Sequence, residues 1–174
     1  MLPERVFYGA AIQGAVDRVE RGRVNRSVIN LINGLGFEVI SEHTTGQSRD
    51  ETMVILERQM GSLPQDPHER SRIIRRAMLE LIDGDIVMAV FETSVPSLGT
   101  GIEIDHACTR PDRGLPAIPI IALYQKDYWI HGLSSMVRGI DSEDLPNFSL
   151  IEYEDLPDLE SKLRDALGMP KQKS

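Results

Sequence analysis

Residues Pro96 to Asp105, PSLGTGIEID, set Ser97, Gly99 and Gly101 ahead of an acid, Glu103. A glycine-lined turn lets a ligand approach the backbone, and the serine hydroxyl and free amides offer it donors. The spacing predicts Glu103 near the first turn of a helix, where the dipole favours carboxylate over carboxylic acid. That state suits a nucleophile or an electrostatic partner for developing positive charge. Cleavage of a glycosidic bond is the chemistry that asks for such a group, because its transition state resembles an oxocarbenium ion. The plainer alternative is an acid that does no more than complement the helix start.

Retaining glycosidic chemistry also wants a second acid. Glu92 and Glu42 lie near predicted strand ends, whereas Asp83 and Asp85 fall at the opposite, amino end of the third strand and read as structural. His43 is at a strand end too, where it is either a site group or an ordinary loop residue. Gly9 to Gly14, with Ala10, Ala11, Ile12 and Gln13 between, reads as a phosphate or sugar cradle or as a tight turn; it is neither a Walker motif nor GxGxxG. Cys108 reads as a small buried hydrophobe. The run Arg70, Arg72, Arg75, Arg76 reads as a solvated helix face.

Strands and helices must position these groups. Val6 to Gly9 predicts a strand, followed by a helix through Val24, Val28, Ile29, Leu31, Ile32 and Leu35 that Gly36 closes. Phe37 to Ile40 predicts a strand, Thr44 to Asp50 a loop and residues 51–60 a short helix, with 44–67 as a mobile segment over a site. His68 to Ile82 predicts a helix and Asp85 to Phe91 the clearest strand, its apolar run implying burial on both faces. A helix to about residue 109, a strand from Ala117 to Tyr124, a short helix near Ser134 to Val137, a strand from Phe148 to Ile151 and a helix from Asp155 to Leu167 complete the pattern. The expectation is an α/β, flavodoxin-like doubly wound sheet of about five parallel strands with helices on both faces. The loops after the first, third and fourth strands would then meet at one site.

At 174 residues and 41% hydrophobic, one domain is expected over residues 1–169, with a frayed tail at 170–174. The net charge of −8 argues against duplex nucleic acid as a partner. A lone cysteine and the lack of a leader or spanning segment give the expectation of a cytoplasmic protein with no membrane partner.

Taken together, VFYGAAIQG (6–14), Glu42-His43, DIVMA (85–89), PSLGTGIE (96–103) and LSSMVRG (133–139) resemble the nucleoside 2-deoxyribosyltransferase superfamily, above all its 2'-deoxynucleoside 5'-phosphate N-hydrolase branch. The resemblance implies that Glu103 attacks or stabilises C1' of a nucleoside or nucleoside monophosphate and releases the base, with no metal or organic cofactor. It implies substrate contacts from Phe7, Ala10, Ala11, Ile12, Gln13, Gly14, His43, Ser97 and Gly99. It further implies a homodimer in which Ser134 reaches the neighbouring site as a phosphate ligand and Met136 lies near the base.

The chain departs from that pattern at several positions. Ala77 replaces an aspartate ahead of Asp85, which removes the partner acid near the base and leaves Glu80, Glu69 and His68 as substitutes. Gln13 replaces an arginine and Ala11 a serine, so phosphate charge would need Arg138 or an arginine from 70–76. Phe7 replaces a tyrosine, which would make room for a ribose 2'-hydroxyl. Three functions follow as expectations: an N-glycosidase, a deoxyribosyltransferase, or a nucleotide-binding protein that does not turn over.

Overall fold

The structure, a computed structural model, describes residues 3–12, 17–141 and 143–168. The tail at 170–174 and the loop residues Gln13 and Gly14 lie outside these. Along the chain run β1 (Glu4–Ala10), α1 (Arg18–Gly34), β2 (Phe37–Val39), α2 (Arg49–Met60), α3 (Pro67–Asp83), β3 (Met88–Glu92), α4 (Leu98–Cys108), β4 (Ile120–Gln125), α5 (Ser135–Arg138), β5 (Phe148–Tyr153) and α6 (Leu156–Ala166). The strands form one parallel sheet in the order β2-β1-β3-β4-β5, the flavodoxin-like doubly wound arrangement. No helix among the described residues is long and apolar enough to cross a membrane.

Alternation along the central strands divides the core into two layers. Val6, Tyr8, Met88, Val90 and Leu123 face α1 and α6, where Val28, Ile29, Ile32, Leu159 and Leu163 meet them. Phe7, Ala89, Phe91, Ile120 and Ala122 face the other way, onto Leu56 of α2, Met78 and Ile82 of α3, and Ile104 and Ala107 of α4. Burying a side chain of this size contributes about 1.5–3 kcal/mol. The second layer ends beneath the carboxyl ends of β1 and β3, where Gly9 pairs with Phe91.

Several boundaries differ from the sequence reading, each for a physical reason. α1 starts at Arg18, well before the apolar periodicity at Val24, because its first turns bury Arg21, Gly22 and Asn25 instead of aliphatic residues. Its start is fixed by Asp17, whose carboxylate accepts from the Glu20 amide at 2.9 Å. Thr44 to Asp50 is not a plain loop: His43–Thr45 forms a 3-10 turn, and α2 begins at Arg49 behind the cap Ser48. Leu56 and Leu63 are buried and tie the 44–67 segment to the core. β4 starts at Ile120 because Pro119 has no amide to pair; its carbonyl still accepts from the Ala89 amide at 3.0 Å.

The amino end of the sheet is held by ion pairs. Asp83 accepts from Arg113 at 2.7 Å and lies 3.1 Å from His106, and these partners hold its carboxyl below the usual range against the opposing cost of burial. Buried Arg110 donates to the carbonyls of Ile82 and Pro116, closing the end of α3.

Candidate functional site

The PSLGTG stretch is not a turn that precedes a helix. Ser97 is the cap of α4, its hydroxyl accepting from the Thr100 amide at 3.3 Å, so Gly99 and Gly101 already belong to the helix. Glu103 is therefore the sixth residue of α4, beyond the first turn where the dipole acts. Burial dominates instead: desolvation raises its carboxyl from 4.5 to about 7. The expectation of a carboxylate kept ionised by the helix start is corrected accordingly. Among the described residues the carboxyl has no hydrogen-bond or ion-pair partner.

Gly9 explains how an acid of this size is admitted. A Cβ on Gly9 would stand 2.8 Å from Glu103 Oε2 and 2.7 Å from the Phe91 ring, distances that side-chain atoms do not tolerate. The absence of a side chain at the carboxyl end of β1 thus lets Glu103 lie against the strand. The carboxyl faces a cavity of about 800 Å³, within the range of small-molecule sites. Ala10 and Ile12 after β1, His43 after β2 and Ser97, Gly99 and Thr100 of α4 surround it, so loops that follow β1 and β3 do converge.

α2 and α3 form the remaining walls through residues a helical turn apart: Arg49, Thr52, Met53 and Leu56 on one, Arg70, Ile74, Met78 on the other, with Ser71 and Arg75 alongside. Arg18, at the start of α1, donates from Nη2 to Thr52 Oγ1 at 2.7 Å. Arg18, Arg49, Arg70 and Arg75 therefore stand on one cavity wall or another, and among the described residues none of them is paired with a carboxylate. Glu103 is the one carboxyl that lines the cavity among those residues. His43 is buried, and desolvation lowers its imidazole to about 4, so it is neutral near pH 7; its Nδ1 has no partner among the described residues.

The other expected site residues are distributed as follows. Phe7 is fully buried in the layer beneath the cavity, its ring 5.8 Å from that of Phe91, and does not form the cavity wall. Ala11 is buried outside the lining. Ser134 and Met136 line an adjoining hollow of about 620 Å³ that shares Ser97, Thr100 and Ile102 with the main cavity. Of the substitute acids, Glu80 pairs with Arg76 at 2.7 Å on the exposed face of α3, while His68 and Glu69 are exposed away from the lining. Glu42 is exposed as well. Arg138 pairs with Glu152 at 2.7 Å and lies outside both hollows.

Glu92 is fully partnered on the opposite face of the sheet. Its Oε2 accepts from the Tyr153 hydroxyl at 2.5 Å and lies 3.2 Å from Arg21 Nη2, while Oε1 accepts from the Ser94 amide at 2.7 Å. Arg21 in turn donates to Gln125 at 3.1 Å and stacks 4.2 Å from the Tyr128 ring. This is a structural network.

Sequence reasoning missed Arg18 and Arg49; it read the arginines of 70–76 as a solvated helix face and, through the resemblance, as a source of phosphate charge. In the structure Arg75 is exposed, while both Arg70 and Arg75 border the cavity. The available signal was the capping pattern: DRVE at 17–20 and SRDE at 48–51 each open a helix and put an arginine at its first position. The fold is a doubly wound α/β domain, and its cavity is lined by one acid, Glu103, and by four arginines that among the described residues have no carboxylate partner. No family model matches the chain, and no curated protein matches it. Among the described residues no cluster of histidine, cysteine and acidic side chains could hold a metal ion.

Proposed function

We propose that the protein is an N-glycosidase that hydrolyses a nucleoside 5'-monophosphate, ribo or deoxyribo, to free base and sugar phosphate. The observation that carries this reading is Glu103: a single desolvated carboxyl set against Gly9 at the carboxyl end of the sheet, with cationic walls around it. In the ionised state Glu103 attacks C1', or stabilises the oxocarbenium ion, as the C1'–N bond breaks. The bonding pair leaves with the base, which takes a proton from water. A second water then adds to C1', loses its proton and restores the free carboxylate. The unpaired arginines suit an anionic substrate and offset the loss of Arg at position 13. Neutral His43 and Thr100 offer hydrogen bonds to sugar or base.

In the same reading, Ser134 and exposed Met136 belong to a second subunit's contribution, and Leu98, 90% exposed on the rim of the outer hollow, is covered in a homodimer. A cytoplasmic setting accords with it. One observation favours a binding protein without turnover: no second acid lines the cavity among the described residues. The test is base release from ribo- and deoxynucleoside monophosphates, with and without an acceptor base, beside Glu103→Gln. The expected result is release by the parent and a loss of about a thousandfold or more in the variant. Equal release by both would overturn the assignment of Glu103, exchanged nucleoside would make the protein a transferase, and saturable binding without release would make it a sensor.

A further inference from the structure

We infer that the cavity is built for a nucleotide bearing more than one phosphoryl group, the phosphates beyond the first held by the arginines of α3. The inference rests on the glycosidase reading for the location of the reacting sugar and extends it to the substrate class.

Four guanidiniums stand on the walls of one cavity, none neutralised by a carboxylate among the described residues, in a chain of net charge −8. Some other arginines are paired with acids, Arg21 with Glu92, Arg26 with Glu51, Arg76 with Glu80 and Arg113 with Asp83, and others, such as Arg5, Arg23, Arg58 and Arg72, are not. What sets the four apart is the cavity they share, which holds a single acid, Glu103, among the described residues. The cavity arginines also fall into two places. Arg18 is hydrogen-bonded to Thr52, one turn along α2 from Arg49, so these two share the α1 and α2 side. Arg70 and Arg75 stand on α3, five positions apart and so separated by about 7.5 Å along the helix axis. A monophosphate is a compact dianion that one pair of guanidiniums satisfies. The other pair then faces no counter-charge. A chain of phosphoryl groups extends the anion by several ångströms and meets both.

The ligand chemistry is shared by two sources, a nucleoside di- or triphosphate and a dinucleotide bridged by pyrophosphate. The cavity volume of about 800 Å³, toward the upper end of the roughly 300–1,000 Å³ of small-molecule sites, accommodates the additional groups.

The experiment uses Glu103→Gln full-length protein, so that binding is read without turnover. Calorimetry compares a nucleoside with its mono-, di- and triphosphate, a pyrophosphate-bridged dinucleotide, and inorganic tripolyphosphate against orthophosphate. Affinity is expected to tighten from mono- to triphosphate by roughly ten- to hundredfold, and tripolyphosphate to compete where orthophosphate does not. Arg70→Ala and Arg75→Ala, each added to Glu103→Gln, should erase that gain, bringing triphosphate affinity down to that for monophosphate, and Arg75→Lys should retain part of it. Equal affinity for mono- and triphosphate, or a gain that survives both alanine variants, overturns the inference. Preference for the dinucleotide over the triphosphate identifies the bridged source. Base release by the parent protein is scored separately: release from monophosphate without the affinity gain leaves the glycosidase reading standing alone, and the gain without any release leaves the polyphosphate site standing alone.

Discussion

Glu103 and Glu92 are two carboxyls taken out of bulk water at the same end of one sheet, on opposite faces, and they have opposite surroundings. Glu92 meets a phenol, a guanidinium and an amide within 3.2 Å, and each of those partners belongs to a residue that is itself buried. Glu103 meets the bare Cα of a glycine and a cavity. Burial alone does not mark an acid as reactive. What separates the two is whether the protein supplies the partners that would neutralise the charge, and a site that withholds them leaves a group able to change state near neutral pH.

The contrast is broken most severely at Glu92. Glu92→Ala strands Arg21 in the interior and should cost about 3–5 kcal/mol in a denaturant melt. Glu92→Gln, which keeps the shape and part of the hydrogen bonding, should cost less, and the folded fraction of either variant should still release base. A melt of Glu92→Ala within 1 kcal/mol of the parent would show that the network is dispensable.

Glu103 should behave in the reverse sense. Its folded-state pKa, raised from 4.5 to about 7, means the native protein binds this proton more tightly than the unfolded chain does. Its contribution to stability is complete below about pH 4.5, is lost as pH rises toward 7, and is absent above that. Glu103→Gln removes the dependence, so the variant should gain on the parent as pH rises from 5 to 8, by an amount on the order of 3 kcal/mol. Over the same window the parent's rate should climb and level above about pH 7, as the nucleophile ionises. A pH-independent difference between the two melts would place the acid in water rather than in the cleft.

The smallest effect expected is at Gly9. Gly9→Ala forces the new methyl against Glu103 and Phe91, with a cost of about 1–3 kcal/mol and a fall in base release as the carboxyl is displaced. An alanine variant of unchanged activity would show that the acid does not depend on that contact.

The sequence carried much of this. Alternating strand and helix signals implied the doubly wound sheet, and the strand order followed from the topology such sheets favour. Glu103, Ser97 and Gly99 stood out as candidates by position and type, His43 was left open on that ground and singled out only through the resemblance, and all four line the cavity. Which of the 70–76 arginines border the cavity was not legible, because α3 carries arginine round much of its surface, exposed Arg75 lining the cavity and Arg76 pairing with Glu80 outside it, and periodicity cannot tell a solvated charge from one that borders a cleft. α2 was legible as a short helix over 51–60 and differs only in starting two residues earlier, at Arg49, but it buries only Thr52 and Leu56, too little to show which of its faces meets the cavity. The protonation of Glu103 was misjudged because the helix begins at Leu98, earlier than the glycines suggest, which carries the acid past the dipole and into the layer beside Phe91.

Ser97 occupies a junction, since its hydroxyl opens α4 and its side chain borders both hollows. The hydroxyl still has a proton to donate while it accepts from the Thr100 amide, so a molecule in either chamber can be met by the same side chain that caps the helix carrying Glu103.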